Sequence, residues 1–391
     1  MQTQFPSQAA GARHLGRHSS ADRAAWLRRF VWPPLAIFGV TRALLLLLFA
    51  FAHRLLPGPH IRDNASVLPH SDVLWSAGSW TRPWFRFDTA WYVGVAEHGY
   101  HWASAGRANT NFLPLYPALI RTFQPLTLGS PWLSSWIVAN LACLTAFLLL
   151  WRWALARCPA ETSMRALVLI ACFPFAFFLS TPYAEPLFVG LAAAAFLLAE
   201  EGRWGWAITA AGLSTITRPV GLAVVLGLVL LALSRGLYRQ AAASLLAVLP
   251  LAGFAAYLGL AFGRPFAFLI SHSYGWVHPS GGLLHTMALQ FHTKLSPFDR
   301  VDATLAVLFL ASAYLVWRRF GPGYAAYVAM GVLLPLAHGL IGIERYVVVL
   351  FPAIAAWASI ERRAIQTAVL AVSVLGLFLG TLMYATGYTL T

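Results

Sequence analysis

Charge is the first thing this chain has little of. Asp, Glu, Lys and Arg make up 10% of its 391 residues, against about a quarter in soluble domains. A surface with so few polar groups cannot face water all round, so a soluble globular fold is excluded and lipid becomes the solvent. Hydrophobic residues reach 59% and the mean hydropathy is +0.67. Cysteine is also scarce. Cys143, Cys158 and Cys172 have neither metal-binding nor disulfide spacing, and two of them fall in apolar spans as packing residues. Neither a GxxxxGK[ST] loop nor a GxGxxG fingerprint is present, which removes the common nucleotide-binding motifs. The formal charge of +14 does not indicate nucleic acid, because Lys and Arg are scattered at the ends of apolar runs rather than gathered in a basic domain.

What is present reads as an all-α, polytopic transmembrane helical bundle of about 10–12 helices. Apolar segments lie near 31–53, 131–151, 166–182, 184–199, 204–218, 219–234, 241–262, 303–318, 324–341, 345–360 and 364–388. Several are shorter than the roughly 20 residues of a straight crossing, so broken or half-crossing helices are expected. The clearest is 204–234, interrupted by Arg218-Pro219. Residues 1–30 are rich in Arg, Ala, Ser and His and read as a disordered basic cytoplasmic tail, with 31–391 as one transmembrane domain. A transit peptide is the other composition that would look this way. With the N-terminus inside, every inside turn carries Arg, as the positive-inside rule requires. Two long extracytoplasmic loops result, at about 54–130 and 263–302. Within the first, Arg121 and two prolines mark 111–128 as a segment lying at or dipping into the interface rather than crossing.

Polar residues that interrupt so apolar a chain are candidates for chemistry. Asp88 sits in Arg86-Phe87-Asp88-Thr89-Ala90-Trp91-Tyr92, with Glu97 and His98 following. An acid among aromatics is partly desolvated, which suits a general base; equally, Asp is a good helix N-cap and the aromatics an interfacial belt. Trp84, Trp91, Tyr92, Tyr100 and Trp102 could stack on sugar rings. On the same face, Ser180 to Pro186 brings Tyr183 and Glu185, Thr217-Arg218-Pro219 breaks a helix, and Gly342 to Tyr346 brings Glu344 and Arg345. Arg beside a proline break needs a partner, and phosphate is the one a guanidinium fits best. For Arg345 the adjacent Glu344 offers a local ion pair instead; for Arg218 no acid is near in sequence. Arg42, within the first apolar helix, is open between a carrier phosphate, an acid on another helix and a later helix start. His272, His278, His285 and His292, with Lys294 beside them, recur at six or seven residues, which is neither a one-face helical spacing nor a zinc-finger pattern. No metal site is assigned and no cofactor is expected; a divalent metal has no ligand motif behind it.

These motifs resemble the PIG-V-like mannosyltransferase family of the GT-C superfamily. Residues 86–92 followed by Val95-Ala96-Glu97-His98-Gly99-Tyr100 look like its first-loop signature, although the family more often has Trp where Phe87 stands. Asn111 to Pro117 is similar to its FFPLYP element, with Leu113 in place of the usual Phe. Phe173 to Phe188 is similar to its FPTAFFLSAPYSESLF element. Thr217 to Gly221 and Glu344 to Val347, with Phe351-Pro352, complete the order, so the resemblance covers about residues 40–355. It implies a GT-C-like bundle that transfers a sugar, mannose foremost, from a polyprenyl-phosphate donor to a lipid, glycan or protein acceptor, with inversion. Asp88 would be the base; Arg218 or Arg345 would steady the departing phosphate; Glu185 would hold a sugar hydroxyl or a catalytic partner. The membrane implied is a bacterial inner membrane with a periplasmic site, or endoplasmic reticulum with a luminal one. A transporter or flippase of lipid-linked or small polar molecules is the alternative, although the two halves show no internal repeat.

Overall fold

The computed structural model describes residues 20–56, 81–102, 108–271, 297–337, 339 and 342–388. The chain is an all-α polytopic integral membrane protein, and no strand occurs among the described residues. Among the described residues, five helical stretches are long and apolar enough to cross a bilayer, at Trp32–Ala52, Pro131–Arg157, Tyr238–Phe262, Asp299–Phe320 and Arg363–Thr386. They belong to α2 (Trp32–Leu55), α5 (Pro131–Arg157), α10 (Tyr238–Ser244) running through a 3₁₀ turn into α11 (Leu249–Phe262), α13 (Pro297–Phe320) and α17 (Arg363–Thr386). α1 (Ser20–Phe30) precedes them, and short elements stand between them: α3 (Thr89–His98), α4 (Leu115–Phe123) and α12 (Ala267–Ile270). Ser20–Phe30 is helical, where composition alone suggests a disordered tail. The nine residues of α4 reach only ~14 Å, too short to cross, and Arg121 ties α4 to α3 by donating to the Ala96 carbonyl.

The remaining apolar segments form three up-and-down excursions, or hairpins, of less than full height: α6 (Ala160–Cys172) then α7 (Glu185–Glu200), packed on other helices rather than on each other, α8 (Trp204–Thr215) with α9 (Gly221–Leu233), and α14 (Pro322–Leu336) with α16 (Phe351–Ala358). Between the last two lies the five-residue α15 (Ile343–Val347). The members of the first two hairpins, 12 to 16 residues long, rise only ~18–24 Å from their starting end, while the hydrocarbon core is about 30 Å thick. Their tips therefore lie inside the height of the long helices. This corrects the expected helix at 166–182, which starts at Ala160 and stops at Cys172 because Pro174 cannot continue it. The expected helix at 345–360 likewise divides into α15 and α16, which begins with Pro352 in its first turn. Gly342, at φ +87°, supplies the left-handed residue that turns the chain into α15.

Hairpin tips within a membrane expose carbonyls that no water reaches, so other groups must satisfy them. Leu179 O accepts from Arg42 Nη1 at 3.2 Å and Ser180 O from Asn140 Nδ2 at 3.2 Å. Ile216 O accepts from the Leu115 amide at 3.1 Å, and Val349 O from the Tyr327 hydroxyl at 2.8 Å. At the opposite end the starting points of the hairpins are tied by charge. Glu200 pairs with Arg157 and Arg235 and accepts from Tyr324 at 3.1 Å, joining α5, α7, α9 and α14. Close approach of α9 and α14 depends on Gly227 and Gly323: a Cβ on Gly227 would stand 2.9 Å from the Gly323 carbonyl oxygen and closer still to the Phe196 ring. Gly227→Ala is therefore expected to destabilise the bundle by ~1–3 kcal/mol through overpacking. Thermal unfolding in detergent measures this; an unchanged midpoint would mean that the two helices separate at no cost.

Candidate active site

The three hairpin tips and the first loop bring four charges into one cluster. Asp88 comes from the loop ahead of α3, Glu185 from the first residue of α7, Arg218 from the α8–α9 tip and Arg345 from α15. Arg345 Nη1 donates to Asp88 Oδ2, and its Nε donates to Glu185 Oε1 at 2.7 Å. Arg218 Nη1 reaches the same Glu185 oxygen at 2.9 Å and also donates to the Arg345 carbonyl at 3.2 Å. Glu185 has no exposed side-chain surface, whereas 19% of Asp88 is accessible, so the cluster opens at Asp88. Aromatic faces cover the cations: Arg345 lies 4.6 Å from the Tyr183 ring centre, and Arg218 lies 4.3 Å from that of Tyr346. Glu185 Oε2 receives no hydrogen bond.

Asp88 occupies the N-cap position of α3, yet its side chain makes no capping bond. Its backbone is held instead. The Tyr183 hydroxyl accepts from the Asp88 amide at 3.2 Å and donates to the Arg86 carbonyl at 3.1 Å, bracketing Phe87 at φ +53°. A non-glycine residue there is strained, and such strain persists only where its surroundings impose it. Arg86 faces away from the cluster and donates to the Ala385 carbonyl at 2.9 Å, fastening the loop to the end of α17.

The other residues singled out by sequence divide clearly. Tyr92 is buried against Phe112 and Tyr116 as an aromatic core, and Trp91 stacks on Phe112 at 5.9 Å. Trp84 is buried against Phe49 at 3.9 Å, so it offers no open face to a sugar. Glu97 and His98 are exposed at the far end of α3, ~15 Å along the helix from Asp88. Arg42 is buried in α2, donating to Cys143 Sγ at 3.3 Å as well as to Leu179 O, and supports the first hairpin tip from beneath. His272, His278, His285, His292 and Lys294 lie outside the described residues. No group of three or more His, Cys, Asp or Glu side chains that could hold a metal occurs among the described residues.

Glu344 does not pair with its neighbour Arg345. It turns the other way, toward Asp302 of α13, and neither of its oxygens has a hydrogen-bond partner. Asp302 escaped the sequence reading; the available signal was an acid three residues after Asp299 within an apolar helix.

No protein-family model matches the chain, and no curated protein matches it by sequence. Among solved structures it is similar to the archaeal oligosaccharyltransferase AglB from Archaeoglobus fulgidus, in complex with an inhibitory peptide and a dolichol-phosphate. The two are 13% identical with a TM-score of 0.46, over 93% of this chain and 56% of that one. This chain thus spans little more than half the length of that protein. A likeness of that degree leaves function to the chemistry of the site.

Proposed function

We propose that this protein is a GT-C-type membrane glycosyltransferase that moves a sugar from a polyprenyl-phosphate donor to an acceptor hydroxyl, with Asp88 as general base. The observation that carries this is the cluster of Asp88, Glu185, Arg218 and Arg345, recessed within the height of the long helices and opening at the carboxylate. A lipid-linked phosphate enters such a depth sideways from the bilayer, with its prenyl tail remaining between helices. Two arginines at the hairpin tips suit its phosphate, and the unpartnered Glu185 Oε2 suits a sugar hydroxyl.

In the reaction, the acceptor oxygen attacks the anomeric carbon while its proton passes to Asp88. The bond from that carbon to the phosphate oxygen breaks, and its electron pair leaves with the polyprenyl phosphate. One-step displacement inverts the anomeric configuration. The cluster holds two cations and two anions and is neutral before reaction. Protonation of Asp88 makes it positive by one unit as the departing phosphate gains one negative unit, so the charge of the whole site is conserved. That is the electrostatic arrangement a low-dielectric site requires. Without donor, Arg345 occupies Asp88; donor phosphate competes for that guanidinium and frees the base. Mannose as the sugar follows from the resemblance of the motifs around Asp88, Tyr183, Arg218 and Arg345 to PIG-V-like enzymes, as does a site on the extracytoplasmic face.

Purified wild type and Asp88→Asn, reconstituted in proteoliposomes with polyprenyl-phosphate mannose, glucose or arabinose and a mixed acceptor extract, provide the test. Transfer by wild type should fall on the order of 10²–10⁴-fold in the variant, the usual range for a lost general base. Equal transfer by both would remove Asp88 as the base. Movement of donor across the bilayer without transfer would favour the transporter reading.

A further inference from the structure

At the arginine-rich end, opposite the four-charge cluster, α6 and α17 diverge over the last turn of α16. They leave a groove of 290 Å³. Val168 of α6, Val369 and Leu370 of α17 and Trp357 of α16 give it apolar walls, while Arg165 and Gln366 stand at its polar edge. Trp357 is anchored by donating to Ser312 Oγ at 2.8 Å. Arg165 is held in place rather than free to wander: it donates to Gln366 Oε1 at 3.2 Å, to Thr162 Oγ1 at 3.0 Å and, more loosely, to the exposed Glu161 Oε1 at 3.4 Å, yet a third of its side chain stays accessible. More cations stand at the same end of the bundle. Arg362 and Arg363 are exposed where α17 begins, one turn ahead of Gln366, and Arg318 and Arg319 are exposed at the end of α13, where Arg319 lies beside Cys158. Glu161 and Glu361, both exposed, are the acids nearby in sequence, so positive charge prevails.

We propose that this groove binds an anionic phospholipid from the leaflet at that end of the bundle, with one acyl chain along the apolar walls and the phosphate on Arg165 and Arg362. The groove is cut into α17, a membrane-crossing helix whose apolar side chains are largely exposed, so what meets it is hydrocarbon. A basic edge above an apolar cleft between membrane helices matches a negatively charged headgroup. The site is separate from the proposed donor site in position and in leaflet, and it does not depend on the glycosyltransferase reading.

Full-length protein in detergent, given equimolar phosphatidylglycerol and phosphatidylcholine with identical acyl chains, is analysed by native mass spectrometry. Wild type should retain phosphatidylglycerol about fivefold over phosphatidylcholine, the factor expected for roughly one cation at the headgroup. Arg165→Ala should lower that ratio while retaining lipid, and Thr367→Trp, which places a ring at the groove, should reduce retention of both lipids. Equal retention of the two lipids by wild type, or undiminished retention by folded Thr367→Trp, overturns the proposal. A second measurement covers failure of the tryptophan variant to fold. Brominated phosphatidylglycerol in proteoliposomes should quench more fluorescence in wild type than in Trp357→Phe, and equal quenched amplitude in the two also overturns it.

Discussion

Glu185 Oε1 accepts from Arg345 and is ion-paired with Arg218, guanidinium groups on two different hairpins, and the interior of the bundle is organised around that shared oxygen. A carboxylate with no exposed surface at membrane depth costs several kcal/mol unless it is paired and hydrogen-bonded. Here the pairing makes the tips of three hairpins depend on one another. Removing Glu185 would leave Arg218 without its carboxylate and Arg345 with Asp88 alone. Removing either arginine would leave a buried anion short of a partner. Asp88, the most exposed of the acids, joins from the loop and completes neutrality. A neutral cluster at one open mouth leaves none of its buried charges uncompensated.

Arginine does three jobs in this bundle. Arg218 and Arg345 pair with acids at the hairpin tips, under aromatic rings that limit water. Arg42 has no acid in hydrogen-bond contact; its Nη1 donates to Cys143 and the Leu179 carbonyl, while Nε and Nη2 receive no partner and the guanidinium lies close to the rings of Phe38 and Phe147. Its charge is the cost of leaving helix α6 early, because the non-helical turn that follows has carbonyls to satisfy. At the opposite end, Arg157 and Arg235 converge on Glu200 and fix the base of the hairpins. The polar tips are thus held from below by Arg42 and Asn140, from the side by α4 through Leu115, and from the far end by Glu200.

Short helices and buried charge are two aspects of one arrangement. A helix that crosses fully satisfies its own backbone and needs no polar neighbour. One that stops within the membrane presents orphan groups, and these demand the polar side chains that a reaction can then use. The strained backbone at Phe87 belongs to the same economy, since it aims Asp88 at Arg345 instead of at the amides of its own helix.

Composition and spacing were enough to identify a membrane bundle, most of its apolar helices and the polar interruptions at 180–186, 217–219 and 342–346. Each is a local property: apolar length, proline position and the rarity of charge within an apolar run. The four charges of the cluster were individually visible for the same reason. Their pairing was not. Arg345 has an acid beside it in sequence, yet its partners are 160 and 257 residues away, because α15 turns its two faces to different neighbours. Phe173 to Leu179 reads as continued helix, since an apolar run has the same composition whether it is helical or a packed turn. Whether Asp88 caps a helix or meets an arginine, and whether Trp84 is open or stacked, depended on contacts between distant segments, which only the tertiary structure decides.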